Sequence, residues 1–320
     1  MARDGKPSSR IVIVGAGNVG VTFAYSLLHS GLASEIVLID LNRERTEGEV
    51  MDLGHAVPFM RPAEIWAGDY RDCAGAAVTV IAAGVGQKPG ESRLDLLKRN
   101  VDVFRKIVPE VVRRNPGGIL LIATNPVDIL TYVAWKLAGG DPRRVIGSGT
   151  ILDTARFRYL LSRHFGVDPR SVHAVIIGEH GDSEVPVWSL SNIAGMTLED
   201  FAAAHGAPFN EKHREDIFTR TRDAAYHIIE RKGATYYAVA AGLMRIVESV
   251  LRDQNTVLSV SSLIEPEYCG IRDVCLSLPS VVNRTGVEKV LRLSLNPEET
   301  ARLQQSANVL KSTLAQLDLP

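Results

Sequence analysis

The sequence has few cysteines, no excess charge of either sign and no long apolar run. Cys73, Cys269 and Cys275 are its three thiols in 320 residues. Their number is odd and their spacing fits no metal site. This excludes a disulfide scaffold and leaves reduced thiols, as expected of a cytoplasmic protein. The 36 Lys and Arg nearly cancel the 37 Asp and Glu, for a net charge of −1. That balance makes neither nucleic acid nor an anionic membrane an expected partner. The basic pairs Lys98-Arg99 and Arg113-Arg114 are expected on solvated helix faces. No apolar stretch reaches the roughly 20 residues of a membrane helix. The first ten residues are polar and lack the apolar core of a signal peptide. They are expected to form a disordered tail up to Ile11.

What is present is a chain that is 45% hydrophobic and 23% charged, long enough for one large or two medium domains. Short apolar runs at 11–14, 35–39, 78–82, 119–122 and 144–146 read as buried strands. Amphipathic stretches at 19–29, 94–114 and 127–137 read as helices between them. The alternation predicts a parallel sheet covered on both faces. Near residue 150 the pattern changes. A helix is expected over 152–164, a strand over 173–177, and helices over 211–231 and 233–252. Runs at 257–263 and 273–278 flank a turn-rich segment and predict an antiparallel hairpin. A strand over 287–295 and a helix from Pro297, capped by Asn296, close the chain. The expected division is an α/β domain over 1–149 and an α+β domain over 150–320, with the active site between them.

Gly15-Ala16-Gly17-Asn18-Val19-Gly20 follows the first strand and opens a helix. Such glycines let the backbone approach a pyrophosphate, and a helix N-terminus favours its charge. Asp40 ends the second strand, placed to bind the two adenosine ribose hydroxyls and to repel a 2′-phosphate. The N-terminal half is therefore expected to be a Rossmann-type, doubly wound sheet binding NAD rather than NADP. Ala82-Ala83-Gly84 and Thr124-Asn125-Pro126 end later strands, where ligands of open α/β sheets bind. Asn125 also reads as a helix N-cap ahead of Pro126.

Asp153 and Arg156 are three apart on a predicted helix and share a face. Arg158 points roughly the other way. A surface ion pair is the alternative for Asp153 and Arg156. His180 follows an apolar run in the glycine-flanked turn Gly178-Glu179-His180-Gly181-Asp182, and its alternative is a turn histidine with no catalytic part. With Arg93 from a glycine-rich loop, these residues offer a proton carrier, a carboxylate to orient it and two guanidinium groups for an anionic substrate. That set suits the interconversion of a small hydroxy acid and its oxo acid.

Several segments together resemble the NAD-dependent L-lactate dehydrogenases of the bacterial type, within the lactate/malate dehydrogenase family. They are Gly86-Gln87-Lys88-Pro89-Gly90-Glu91-Ser92-Arg93, Ala123-Thr124-Asn125-Pro126-Val127-Asp128, Gly147-Ser148-Gly149-Thr150, Asp153-Thr154-Ala155-Arg156, the His180 turn, and Lys232-Gly233-Ala234-Thr235. The resemblance runs from Ile11 to the C-terminal helix. It implies that His180 exchanges the proton, that Asp153 orients it, and that Arg156 grips the substrate carboxylate with a two-pronged bond. It implies that Arg93 is the mobile-loop arginine that polarises the carbonyl, with Gly84, Gly86 and Gly90 giving the loop its freedom. It places Asn125 and Thr235 at the substrate. Arg45, Tyr70, Val85, Ala123, Thr124, Asn125, Ser148 and Val239 join the glycines and Asp40 at the cofactor.

Gln87 is the expected specificity residue. In the family, arginine at this position accompanies malate and oxaloacetate, whereas a neutral glutamine suits pyruvate. An ordinary exposed loop residue is the alternative. Arg158 and His173 match positions where bacterial relatives bind fructose 1,6-bisphosphate across a subunit interface, with Arg170 nearby as a further cation. The resemblance thus implies a cytoplasmic, allosteric homotetramer of glycolysis and fermentation. Malate dehydrogenase is the enzymatic alternative, and a non-catalytic NAD-binding protein the alternative of another class.

Overall fold

The structure, a computed structural model, describes residues 9–86 and 90–319. Gln87 and the first eight residues of the expected tail lie outside the described residues. The first half comprises β1 (Arg10–Val14), α1 (Asn18–Ser30), β2 (Glu35–Ile39), α2 (Arg43–Ala56), β3 (Glu64–Ala67), β4 (Val78–Ile81), α3 (Arg93–Arg114), β5 (Ile119–Ile122), α4 (Val127–Ala138) and β6 (Val145–Gly147). These strands are parallel, in the order β3-β2-β1-β4-β5-β6. This is the doubly wound, Rossmann-type arrangement.

Successive strand residues point to opposite faces of the sheet. Val12, Val14, Val37, Ile39 and Ile122 enter one core with α3 and α4. Ile11, Ile13, Ile36, Leu38 and Leu121 enter the other, against α1. Each fully buried side chain of this size contributes roughly 1.5–3 kcal/mol. A strand with helices on both faces therefore reads as an unbroken apolar run. Two elements carried no such signal. α2 buries only Thr46 and Leu53, so it has no apolar stripe, and β3 lies at the sheet edge with no fully buried residue. The expected tail proves too long, because Arg10 already belongs to β1 and its guanidinium pairs with Glu35 at 2.5 Å.

The second half runs α5 (Ile151–Phe165), β7 (Val172–His173), β8 (Ile176–Ile177), β9 (Val185–Pro186), β10 (Asn192–Ile193), β11 (Met196–Thr197), α6 (Leu198–His205), α7 (Glu211–Arg222), α8 (Ala224–Lys232), α9 (Tyr237–Arg252), β12 (Thr256–Leu263), β13 (Cys275–Asn283), β14 (Gly286–Val290) and α10 (Pro297–Leu314). The expected strand over 173–177 divides into β7 and β8, which pair with different partners, β10 and β9. The expected helix over 211–231 divides at Asp223 into α7 and α8. The strand expected to run to residue 295 stops at Val290.

The predicted hairpin is β12 with β13, antiparallel over eight residue pairs. It does not stand apart from the first half. Ser261 of β12 pairs with Gly147 of β6, which extends the parallel sheet by three antiparallel strands. A Cβ at Gly147 would lie 2.3 Å from Thr131 Oγ1 and 2.9 Å from Ser261 Cβ, so only glycine permits that approach. A third core forms where Phe157, Leu161 and Phe165 of α5 meet Ile176, Ile193 and Ile217.

Candidate active site

A seam of buried hydroxyls fixes the strand that leads to His180. Thr150 Oγ1 and Ser259 Oγ donate to the Ile176 carbonyl at 2.6 and 2.8 Å. The Ile176 N–H donates to Thr154 Oγ1 at 3.0 Å. β8 is thereby tied to the first turn of α5, which carries Asp153. Gly178, at φ 87°, then turns the chain through a conformation that favours glycine. It exchanges two backbone hydrogen bonds of 2.9 Å with Ser277 of β13. The Glu179 N–H donates to Ser306 Oγ of α10 at 2.8 Å. The His180 N–H donates to Asp128 Oδ2 of α4 at 2.7 Å. Three separate elements thus hold one turn.

His180 Nδ1 is 2.5 Å from Asp153 Oδ2. Arg156 Nη1 donates to the other oxygen, Oδ1, at 2.7 Å. The helical spacing brings Asp153 and Arg156 together as expected, but buried rather than as a surface pair. Asp153 is 2% exposed, and the Arg156 side chain 13%. The His180 side chain keeps 22% of its surface open, and with Nδ1 committed, Nε2 is left for a reactant. Burial by itself would drive the imidazole neutral. The charge and hydrogen bond of Asp153 outweigh it and raise the pKa to about 9. Burial likewise opposes the charge on Asp153, but His180 and then Arg156 hold its pKa below the usual carboxylate range.

Two buried carboxyl groups beside this couple were not singled out from sequence. Asp128 is 2% exposed, and burial pushes its pKa up to about 6 against the His180 N–H. Glu184 is 6% exposed. For Asp128 the available signal is an acidic residue in an otherwise apolar context at the start of α4; Glu184 follows Asp182 and Ser183 just before β9 and has no such contrast.

Arg93, expected in the loop, is the first residue of α3. Ser92 caps that helix, its hydroxyl accepting the Asp95 N–H at 3.1 Å. Arg93 Nη1 lies 3.8 Å from Asp182 Oδ2 at the rim of the His180 turn, with both side chains exposed. Tyr226 donates to the other Asp182 oxygen at 2.8 Å. Arg99 is more than a solvated helix residue. It pairs with Glu91 at 2.7 Å and donates to the Gly86 carbonyl at 2.7 Å, bridging the loop's two ends. Buried Asn100 accepts the Val85 N–H at 2.9 Å. Gly86 and Gly90 have open space around them, but a Cβ at Gly84 would lie 2.6 Å from Thr124 Cγ2. Gly84 therefore serves close packing and not loop freedom.

The glycine turn divides its labour. A Cβ at Gly15 would lie 2.5 Å from the Ala83 nitrogen, and one at Gly20 would lie 1.9 Å from the Gly15 carbonyl oxygen. A Cβ at Gly17 would meet nothing within 4 Å. Gly17 is the N-cap of α1 and offers no side chain to its first N–H groups, while Asn18 and Val19 open the helix. That open, uncapped end suits a pyrophosphate. Asp40 is exposed and pinned by the N–H groups of Ala16 (2.7 Å) and Asn42 (3.0 Å).

Arg45 sits in the first turn of α2, paired with Glu49. Tyr70 is half-buried in the turn after β3. Ala123, Thr124 and Asn125 follow β5, and Ser148 follows β6, at the carboxyl edge of the sheet. Asn125 is not the cap of α4; Pro126 itself occupies the N-cap, without a side-chain hydrogen bond, and Asn125 stays exposed. Thr235 is half-buried ahead of α9, and Val239 packs from α9 onto the α1 side of the core. Arg158 does diverge from Arg156. Its Nε donates to the Ala174 carbonyl at 2.7 Å, beside exposed His173. Arg170 is paired with Asp168 at 2.8 Å. Among the described residues no group of three His, Cys, Asp or Glu side chains is placed to hold a metal.

Residues 9–147 match the family description "lactate/malate dehydrogenase, NAD binding domain", and residues 150–318 match "lactate/malate dehydrogenase, alpha/beta C-terminal domain". An L-lactate dehydrogenase of Acetivibrio thermocellus is 53% identical over 314 residues, covering 98% of this chain and 99% of that protein. One of Priestia megaterium is 52% identical over 304 residues, 95% of each. The crystal structure of a minor L-lactate dehydrogenase from Enterococcus mundtii superposes with a TM-score of 0.95 at 41% identity, covering 98% of this chain and all of that one. The chain belongs to the lactate/malate dehydrogenase family. Within it, the chain is an NAD-dependent oxidoreductase.

Proposed function

We propose a residue-level account of the reaction. The activity is that of an L-lactate dehydrogenase, the reversible reduction of pyruvate to L-lactate. NAD supplies or accepts the hydride at the substrate's second carbon. Gly15, Gly17, Asn18, Val19 and Gly20 would hold its pyrophosphate. Asp40 would hold the adenosine ribose, with Arg45, Tyr70, Gly84 and Val85 around that half. Ala123, Thr124, Asn125, Ser148 and Val239 would border the nicotinamide. The working division is 1–149 for the cofactor and 150–320 for the substrate.

The continuous Arg156–Asp153–His180 chain carries this reading. Arg156 binds the substrate carboxylate through the guanidinium nitrogens that Asp153 leaves over. His180 presents Nε2–H to the carbonyl oxygen and gives up its proton as the alcohol forms. Asp153 keeps the ring in the required tautomer and stabilises the imidazolium. Arg93 moves from Asp182 onto the carbonyl oxygen and stabilises the charge that develops there. Asn125 and Thr235 complete the substrate pocket.

Gln87 selects pyruvate over oxaloacetate by carrying no charge. Gln87→Arg should move the ratio of kcat/KM values toward oxaloacetate, because an enclosed guanidinium without a partner is penalised with pyruvate. An unmoved ratio in the folded variant would remove Gln87 from this role.

We further propose a cytoplasmic homotetramer acting in glycolysis and fermentation. Fructose 1,6-bisphosphate would bind where Arg158 and His173 of neighbouring subunits converge. Arg170 is the weaker candidate cation, already paired with Asp168.

A further inference from the structure

Glu184 stands at the inner end of the catalytic turn, its N–H donating to the Gly181 carbonyl at 3.1 Å. Its Oε1 is enclosed and has no hydrogen-bond partner. The charges that act on it are those of Asp153 and Arg156 from α5, His180 from its own turn and Arg222 from α7. Both cations on the helices are already engaged, Arg156 by Asp153 and Arg222 by Asp223. A carboxylate in that position would be buried without an ion-pair partner and repelled by Asp153. Such a group is far more stable protonated.

We propose that Glu184 is held as the neutral carboxylic acid and is a positioning residue, filling the space beside Asp153 without dividing its bonds to Arg156 and His180. An anionic Glu184 would compete with Asp153 for Arg156. It would also hold the His180 proton more tightly and so make a poorer acid. Burial first, and then the charge of Asp153, push the Glu184 pKa up to about 9 against the opposing pull of His180, Arg156 and Arg222. His180 titrates in the same range. Rising pH therefore removes a proton from either group, and the charge left on Glu184 retains the proton on His180.

This inference rests on His180 as the acid, so its closing experiment includes a reading that does not. Infrared difference spectra of the wild-type enzyme at pH 7, with and without ¹³C-glutamate, should show an isotope-sensitive band of a protonated carboxyl that Glu184→Gln abolishes. Glu184→Ala should raise the KM for pyruvate ~10-fold with NADH affinity retained, and Glu184→Gln should recover most of that loss. The alkaline limb of pyruvate reduction, broad in wild type, should sharpen in Glu184→Gln to one ionisation at lower pH. A carboxylate band alone at pH 7 in the wild type would overturn the proposal, even if the variants fail to fold. So would a Glu184→Gln enzyme as impaired as Glu184→Ala, or one with an unchanged pH profile. Failure of the His180 assignment would appear instead as near-normal turnover in His180→Ala.

Discussion

At the scale of single residues, Asp153 has the most demanding task. Its two oxygens serve two different groups, His180 and Arg156, and it does so with almost no access to water. The consequence is visible in pH. Pyruvate reduction needs protonated His180, whose pKa is raised to about 9. Reduction should therefore be flat around neutrality and fall as pH rises through about 9, while lactate oxidation rises over the same range. Asp153→Asn removes the raising influence and leaves the burial, so the falling limb should move down by about one pH unit or more. The same couple stabilises the fold. That contribution is complete below the ordinary histidine value of 6.5 and is lost as pH passes about 9. His180→Ala should bind NADH normally and lose ~10²–10⁴-fold in turnover. Calorimetry alongside steady-state rates separates the two effects, and near-normal turnover would dismiss His180 as the acid.

At the scale of elements, the turn from β1 into α1 shows three glycines of one motif doing unlike things. Gly20 sits where any side chain would strike the Gly15 carbonyl, and Gly17 faces open space. Gly20→Ala should destabilise the protein by ~1–3 kcal/mol, since the backbone must shift to admit the methyl group. Gly17→Ala should keep stability within about 1 kcal/mol and still weaken NADH binding, because its methyl group projects where a pyrophosphate would approach. Thermal unfolding and NADH titration of both variants read the contrast. If both lose stability equally, the open space at Gly17 is not reserved for a ligand. The elements also explain which expectations failed. A strand buried on both faces announces itself, whereas α2, with two buried residues, does not. The run over 173–177 reads as continuous because apolar residues follow His173 without a break, yet its two ends face different partner strands.

At the scale of the whole molecule, the two halves share one sheet through Ser261 and Gly147. The catalytic turn is consequently braced by both, through Asp128 on one side and Ser277 and Ser306 on the other. An assembly would add a further level. The proposed effector needs clustered cations, and a symmetric interface doubles those of one chain. If fructose 1,6-bisphosphate binds the active arrangement of subunits better than the inactive one, it should lower the apparent KM for pyruvate in the wild type, and Arg158→Gln should abolish most of that response. Pyruvate saturation curves with and without the effector, together with sedimentation of both proteins, test this. A response that survives the substitution unchanged would move the site elsewhere.

The sequence by itself determined the alternation of strands and helices, the glycine turn, Asp40 at the end of β2 and the shared face of Asp153 and Arg156. Each depends on residues close together in the chain, where local geometry and apolar periodicity suffice. Tertiary structure alone decided that Asp153 is buried between His180 and Arg156, that Gly84 is packed and not free, and that Asp128 and Glu184 are buried beside the site. Those facts depend on segments distant in sequence being brought together. Asp128 and the His180 N–H are 52 residues apart, and Glu179 and Ser306 are 127 apart. Burial of a charge is a property of what surrounds it, and no local pattern of residues specifies that.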